Sequence, residues 1–219
     1  MEISVSANNQ SSPQAKIALF RSFFRGREEV YPKRFENKKT GKSGYVFACG
    51  NEWVRGICEK PKIKCSECKH RRLLPITDDV VHWHLSGLDN CGKDFVMGVY
   101  PMLLDETCFF LAADFDKASW TEDAAAFLKT CHQMGLPAAL ERSRSGKGAH
   151  VWLFFSEAIL HKISRLEVEN IVAKAEAKGR VVGIRLDIAD EDQNTPWTLP
   201  PSRRSPSAPI GNGCKKIPS

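Results

Sequence analysis

The chain has 219 residues, room for one large domain or two small ones, and 42% of them are hydrophobic and 26% charged, which is ordinary for a soluble protein. Because it has no run of about 18 apolar residues and no secretory signal in its first thirty residues, we expect a cytoplasmic chain whose eight cysteines are thiols or metal ligands rather than disulfides. Residues 1–72 carry 16 Lys and Arg against 7 Asp and Glu, and residues 73–219 carry 16 against 19, so the basic first part suits either an anionic partner, such as nucleic acid or nucleotide, or a solvated basic face.

The start of the chain is predicted to change from a disordered segment to a short helix and then to a basic surface segment. Residues 1–15 are polar and are expected to be disordered. Lys16–Phe24 places its apolar residues on one face at helical spacing, which predicts an amphipathic helix. The segment Arg25–Tyr45 is basic and interrupted by glycines, and its aromatic anchors are Tyr31, Phe35 and Tyr45.

Two further helices are predicted from the signals at their ends. Thr77 is expected to cap a helix that has Asp78 and Asp79 in its first turn. Ser119–Met134 is predicted as a helix that is closed by Gly135.

Four apolar segments predict strands of one sheet, which gives an α/β (α+β) fold. They are Phe95–Tyr100, Thr107–Ala113, Ala138–Arg142 and Ala149–Phe155. Asp114 ends one of these strands and His150 opens another, so both side chains are expected to line a common cleft.

The last sixty residues differ from the centre. Ser164 and Glu167 form a capping-box pattern for a helix that is expected to stop at Gly179, and Arg180–Leu186 is predicted as one more strand. Residues 187–219 are acidic and then rich in Pro and Ser, so they are expected to form a disordered tail.

Asp114 and Asp116 form a D-x-D motif at the end of an apolar strand. Residues i and i+2 of a strand share a face, and two adjacent carboxylates repel each other unless a cation lies between them. The motif therefore predicts a site for Mg²⁺ or Mn²⁺, the paired ions of nucleotidyl transfer. The alternative is a strand end with two solvated aspartates.

A Ser/Gly-rich loop before His150 is a second candidate site. Its glycines allow backbone N–H groups to approach an oxyanion, and its hydroxyl and cationic side chains suit a triphosphate. The candidate nucleotide-binding residues are Ser143, Arg144, Ser145, Gly146, Lys147 and Gly148. The alternative is a flexible hairpin loop that happens to be basic.

Four cysteines with the spacing C-x8-C-x6-C-x2-C predict a zinc knuckle within residues 49–68. The candidate ligands of this tetrahedral Cys₄ site are Cys49, Cys58, Cys65 and Cys68. Because the spacing is irregular, His70 is a reserve ligand, and unligated core thiols are the alternative.

Taken together, these motifs resemble the archaeo-eukaryotic primase superfamily, and most specifically the primase–polymerase domain of TOTE conflict systems, which belong to mobile elements or defence. The matching stretches are Phe20–Arg27, Lys39–Tyr45, Asn51–Cys68, Phe95–Trp120 and Pro137–Phe155. The resemblance implies that Asp114 and Asp116 bind catalytic metal. It also implies that Ser145, Lys147 and His150 contact the phosphates of an incoming nucleotide, and that the partners are DNA template and primer, nucleoside triphosphates, and the helicase and nuclease parts of the same system.

The chain departs from the superfamily after His150. Members carry a third acidic motif on a later strand, in a stretch resembling L-D-S-Y-D-R-F-F-P-x-Q, and nothing like it occurs here. Ile163–Arg204 instead resembles the connector between primase and helicase, which implies an internal loss and a truncation before the helicase. Asp187 imitates the third carboxylate, but the same resemblance assigns it to the connector.

The expected organisation is a primase–polymerase-like domain at 16–157, a connector-like helix and strand at 158–186, and a tail. The sheet is expected to be an incomplete primase-type palm, with a zinc-knuckle module in the N-terminal half. Two functions follow: a nucleotidyltransferase that is either active or impaired by the missing third carboxylate, or a non-catalytic nucleic-acid-binding module or decayed fragment of a primase–helicase protein. In the first, the basic half with Tyr31, Phe35 and Trp53 is expected to hold template or primer.

Overall fold

The computed structural model describes residues 7–143, 146–176 and 197–198. The chain divides into two compact units, one comprising 1–21, 27–100 and 198–219, the other 22–26 and 101–197. Within the described ranges, no helix is long and apolar enough to cross a membrane.

The first unit contains two helices and short strands. In chain order they are α1 (Pro13–Phe23), β1 (Pro32–Glu36), β2 (Ser43–Phe47), α2 (Asp78–Ser86) and β3 (Gly98–Val99). The first helix begins three residues before the predicted start and buries Ile17 and Phe20, as the apolar spacing predicts.

An antiparallel hairpin lies inside the segment that the sequence predicted as irregular. β1 pairs with β2 from Pro32↔Phe47 to Glu36↔Ser43, and Gly41 supplies a positive φ of +67° in the turn. The prediction missed the hairpin because β1 is half charged and lacks clean alternation. Tyr31, predicted as a surface anchor, is instead buried, with 4% of its surface exposed.

Helix α2 begins where the Thr77 cap predicts. The Thr77 side chain accepts a hydrogen bond from Val80 N–H at 3.3 Å, and Gly87 closes the helix in the left-handed conformation at φ +79°. The helix buries His84 together with two valines.

The segment Phe95–Tyr100 does not join the main sheet, so that prediction is wrong. Only Gly98–Val99 is a strand, and the segment contacts β1 instead: Arg34 N–H donates to Val96 O at 2.9 Å, and Lys33 forms an isolated bridge with Met97. An apolar run predicts a strand but carries no information about its pairing partner.

The second unit is an antiparallel sheet with two helices packed on one face. Its elements are β4 (Thr107–Phe115), α3 (Trp120–Gln133), β5 (Ala139–Arg142), β6 (Ala149–Leu160) and α4 (His161–Glu176). The two-residue strand β7 (Trp197–Thr198) lies at the division between the two units. The three long strands are ordered β4-β6-β5, so β6 lies in the centre.

The two faces of this sheet differ in chemistry because side chains alternate along each strand. One face presents Ala113, Val151 and Leu153 to a core shared with residues of both helices. The helix residues of this core include Phe127 of α3 and Ile171 of α4. The opposite face carries the candidate site.

The predicted capping box at Ser164 is wrong. β6 continues to Leu160, pairing Thr107 with Leu160 beyond a bulge, and α4 starts directly at His161. Ser164 therefore lies inside the helix rather than at its N-cap. The predicted stop at Gly179 and the predicted strand Arg180–Leu186 lie outside the described residues.

Candidate functional site

Asp114 and His150 lie side by side on neighbouring strands. The register pairs Asp114 of β4 with His150 of β6, so both side chains leave the sheet on one face. His150 Nε2 lies 3.5 Å from Asp114 Oδ1, and each side chain is 16% exposed. The structure thus brings together the two residues that the sequence predicted to share a cleft. Asp116 follows the last residue of β4 and is exposed.

The loop between β5 and β6 folds tightly against the end of β4. Ser143 N–H donates to Gly148 O, and Gly146 N–H donates to Ser143 O, each at 2.9 Å. Gly146 has a φ of +71°, which favours glycine, and Arg142 Nη2 donates to its carbonyl at 3.1 Å. A Cβ at Gly148 would lie 2.6 Å from Phe115 O, so only glycine fits this close approach.

The loop therefore adjoins the D-x-D motif directly. The same hypothetical Cβ of Gly148 would lie 3.5 Å from Asp116 Cα. Lys147 is exposed beside it, while Arg144 and Ser145 lie outside the described residues. Backbone amides and a cationic side chain next to two carboxylates form a setting that can receive a metal-bound polyphosphate.

Glu141 lies on the other side of His150 and was missed by the sequence prediction. The register pairs Glu141 of β5 with His150, and Glu141 Oε2 lies 3.8 Å from His150 Nδ1. Trp152 Nε1 donates a hydrogen bond to the same oxygen at 2.9 Å. Burial raises the pKa of Glu141, against smaller lowering effects of the Trp152 bond and the His150 charge. The pairing pattern of a hairpin could have identified this residue. If Arg142 and Ala149 are paired at the two ends of the loop, the next pair in an antiparallel register is Glu141 with His150.

An aromatic row continues from His150 along the same face of the sheet. The rings of Trp152 and Phe154 are stacked with centroids 6.2 Å apart, and His150 lies 5.9 Å from Trp152. Phe24 packs edge-on against Trp152 at 5.2 Å and against Phe154 at 5.6 Å. The apolar row lowers the local dielectric on one side of the polar residues, which strengthens their mutual electrostatic interactions.

The metal ligands at this site are incomplete in the part of the chain that the structure describes. There, no three His, Cys, Asp or Glu side chains are grouped closely enough to hold a metal ion. Asp114 and Asp116 carry the hard oxygen atoms that Mg²⁺ prefers, so their chemistry suits such a site. Asp187, which imitates the third carboxylate, lies outside the described residues.

The four cysteines of the predicted zinc knuckle line one cavity of the first unit. Cys49, Cys58, Cys65 and Cys68 share this cavity with His70. Two hydrogen bonds join the two ends of the cysteine-containing segment. Gly50 N–H donates to Arg72 O at 2.8 Å, and Asn51 Nδ2 donates to His70 O at 2.8 Å. Four thiols are suitable zinc ligands. Among the described residues, however, they do not lie close enough together to form a metal-binding group, so zinc stays a prediction.

Lys60 is held beside the cysteine cavity by an ion pair. Its Nζ lies 2.8 Å from Glu52 Oε1, and Lys33 pairs with the second oxygen of Glu52. Burial would lower the pKa of Lys60, but hydrogen bonds to Glu52 and Cys65 outweigh it, so the pKa is raised.

The aromatic residues predicted to contact nucleic acid are placed differently from one another. Trp53 is 68% exposed and Phe35 is 41% exposed, whereas Tyr31 is buried and cannot stack on a base. Lys60 Nζ lies 5.5 Å from the Trp53 ring. Trp53 has a φ of +62°, which is strained for a bulky residue and typical of functional sites.

Comparisons with known proteins indicate the family and the fold of the chain. A family model described as the TOTE conflict system, archaeo-eukaryotic primase domain, matches residues 15–187. Among solved structures, the chain is similar to the polymerase domain of Mycobacterium tuberculosis Ligase D in complex with DNA, at a TM-score of 0.50 and 14% identity over 86% of this chain and 72% of that one. No curated protein matches the sequence. The mixed α/β arrangement of small sheets and helices is thus similar to a primase–polymerase fold, as the sequence predicted.

Proposed function

Because the chain belongs to the archaeo-eukaryotic primase domain family of TOTE conflict systems, we propose that it is a primase–polymerase-type nucleotidyltransferase that acts on nucleic acid with nucleoside triphosphates and divalent metal. One observation carries the proposal: Asp114 pairs with His150 across β4 and β6, and Gly148 of the loop before β6 approaches Phe115 O and Asp116 at the same end of the sheet. Carboxylates, an imidazole and a glycine-closed loop are the groups that this chemistry needs within one cleft.

Each residue of the site has a role in this proposal. Asp114 and Asp116 hold Mg²⁺ or Mn²⁺, and the bound metal supplies charge stabilisation to the attacking and leaving oxygens. His150 donates to a phosphate oxygen of the incoming nucleotide from the rigid central strand. The remaining phosphate contacts come from the loop residues Ser143, Arg144, Ser145, Gly146, Lys147 and Gly148.

Primer extension tests the proposal directly. Purified chain is incubated with primed DNA template, labelled ribo- or deoxyribonucleoside triphosphates and Mn²⁺. Asp114→Asn keeps the shape of the strand but removes a ligand charge, so extension should fall at least about 100-fold. Glu157→Gln, at an exposed position of the same strand β6, is the matched control and should keep its activity. Measurable extension that is equal for both variants would refute the assigned site.

A non-catalytic role in nucleic-acid binding is the second candidate. It is favoured by the small number of metal ligands at the site. The described residues include two carboxylates beside the loop but no group of three side chains that could hold a metal ion. We expect polymerisation to be weak or absent for this reason. Binding of labelled DNA without any extension in Mn²⁺ would select this candidate, whereas robust extension would exclude it.

The basic first part of the chain is proposed to bind the nucleic acid. Residues 1–72 have a net charge of +9, and the exposed Trp53 and Phe35 offer faces on which bases can stack. By its family, the chain is proposed to work beside the helicase and nuclease of the same system. The segment 158–186 is proposed as the link toward the helicase.

Structural zinc is proposed to stabilise residues 49–68, with Cys49, Cys58, Cys65 and Cys68 as ligands. Elemental analysis of chain purified without chelator should give about one zinc per chain, and Cys68→Ser should lower it. Cys131→Ser is the control, because Cys131 is buried in the core of the second unit and does not line the cysteine cavity. Zinc near zero in the wild-type chain would contradict the proposal.

A further inference from the structure

We propose that Glu141 is a positioning residue, which holds the imidazole of His150 in the orientation that meets a nucleotide phosphate. The proposal rests on the proposed function, in which His150 contacts the incoming nucleotide. It adds a residue that lies outside both the D-x-D motif and the Ser/Gly loop.

The sheet places His150 between two carboxylates in one row. Asp114 of β4 and Glu141 of β5 are both register partners of His150 on the central strand. The Asp114 carboxylate faces ring nitrogen Nε2 at 3.5 Å, and the Glu141 carboxylate faces Nδ1 at 3.8 Å. The two nitrogens therefore have separate environments, and Glu141 lies on the side away from the metal ligand.

Trp152 fixes the Glu141 carboxylate in this place. Its indole Nε1 donates to Glu141 Oε2 at 2.9 Å, and the same oxygen faces His150. Trp152 is 3% exposed and is held by ring contacts with Phe24 and Phe154, so its own rotamer has little freedom. The carboxylate is thus presented by a rigid aromatic group rather than by a mobile side chain.

A carboxylate beside one imidazole nitrogen determines the direction in which the other nitrogen points. A carboxylate that faces Nδ1 restrains the plane of the ring and directs Nε2 to the opposite side, where it can reach a phosphate oxygen. Here Nε2 is directed toward Asp114, at the strand end that the loop 143–148 adjoins. The separation from Nδ1 exceeds hydrogen-bond length by about 0.8 Å, and such contacts often shorten once a ligand is bound.

Glu141→Gln separates positioning from a purely structural role. Glutamine keeps the size of the side chain and an oxygen for the Trp152 bond, so a structural role predicts no effect. A positioning role predicts about 10-fold weaker binding of ATP with Mg²⁺, as for other groups that orient a functional histidine, and a shift of the His150 Nδ1 resonance in ¹⁵N NMR. That resonance is assigned by its loss in His150→Gln. Glu157→Gln is the control, and circular dichroism verifies that each variant is folded.

The outcomes distinguish this proposal from the proposed function. An unchanged His150 Nδ1 resonance in Glu141→Gln overturns the positioning role, and so does a shifted resonance with wild-type ATP affinity. If the wild-type chain binds no nucleotide, the proposed function fails, while the resonance alone still decides whether Glu141 orients His150.

Discussion

Replacing Gly148 with alanine tests whether the loop between β5 and β6 binds phosphates beside the D-x-D motif. The added Cβ would lie 2.6 Å from Phe115 O, and its next neighbours are Ser143 Oγ at 3.4 Å and Asp116 Cα at 3.5 Å. The first contact is with backbone, which cannot rotate away as a flexible side chain could. The loop must therefore move from β4.

The size of this movement follows from the contact distance. Ordinary van der Waals contact begins near 3.4 Å, so the loop has to open by about 0.8 Å. Overpacking of this kind costs about 1–3 kcal/mol of stability. A displacement of about 1 Å at a positioned group can cost about 100-fold in activity. We expect Gly148→Ala to bind ATP with Mg²⁺ about 10- to 100-fold more weakly than the wild-type chain.

Gly146→Ala is the matched control in the same loop. A Cβ there meets only the Arg142 side chain, at 3.4 Å or more, while its positive φ of +71° costs about 1–2 kcal/mol for alanine. Both variants should therefore lose stability in urea unfolding, but only Gly148→Ala displaces the loop from Asp116. If Gly148→Ala is measurably destabilised but binds ATP with wild-type affinity, the phosphate-binding role is refuted. If its stability is unchanged, the close approach of Gly148 to Phe115 O is refuted.

Two predictions concern the first unit. Burial lowers the pKa of His84 from 6.5 to about 4, so the unfolded chain binds a proton that the folded chain does not, and the free energy of unfolding should fall by about 3 kcal/mol between pH 6.5 and pH 4. His84→Gln, which keeps an acceptor for Met97 N–H, should flatten that part of the urea-unfolding profile; an unchanged slope would contradict the assignment. Trp53→Ala should weaken binding of a single-stranded oligonucleotide about 10-fold, measured by fluorescence anisotropy, because stacking contributes about 1–3 kcal/mol per base. Lys62→Gln should instead reduce the salt dependence, and equal affinity of Trp53→Ala and the wild-type chain would exclude Trp53 as a stacking platform.

Helix ends and the central strands were predictable because their signals are local. Thr77 with two following aspartates marks the start of α2, and Gly135 marks the end of α3. Long apolar runs predicted β4 and β6, although β6 runs five residues past its predicted end at Phe155. That extension is fixed by pairing with β4 beyond a bulge, which is a tertiary contact and has no local signal.

The features that the sequence did not predict correctly depend on strand-pairing partners and on side-chain contacts. The run from Phe95 to Tyr100 is apolar enough for a central strand, yet it contacts β1 and is not part of the β4-β6-β5 sheet. The hairpin of β1 and β2 was hidden by lysine and arginine, whose long stems cover apolar surface while their charges stay in water. Ser164 and Glu167 have the spacing of a capping box, but the same spacing inside a helix carries no cap.

The row formed by Asp114, His150 and Glu141 bears on whether Glu141 can act as a third carboxylate beside Asp114 and Asp116. Like charges that share a site repel each other strongly, and the imidazole between the two carboxylates relieves that repulsion by separating them. Glu141 could join Asp114 and Asp116 around a metal ion only by displacing His150 and by giving up the hydrogen bond from Trp152. The arrangement that makes Glu141 suitable for orienting His150 therefore also keeps it from completing the metal site, and the weak polymerisation that we expect follows from this geometry.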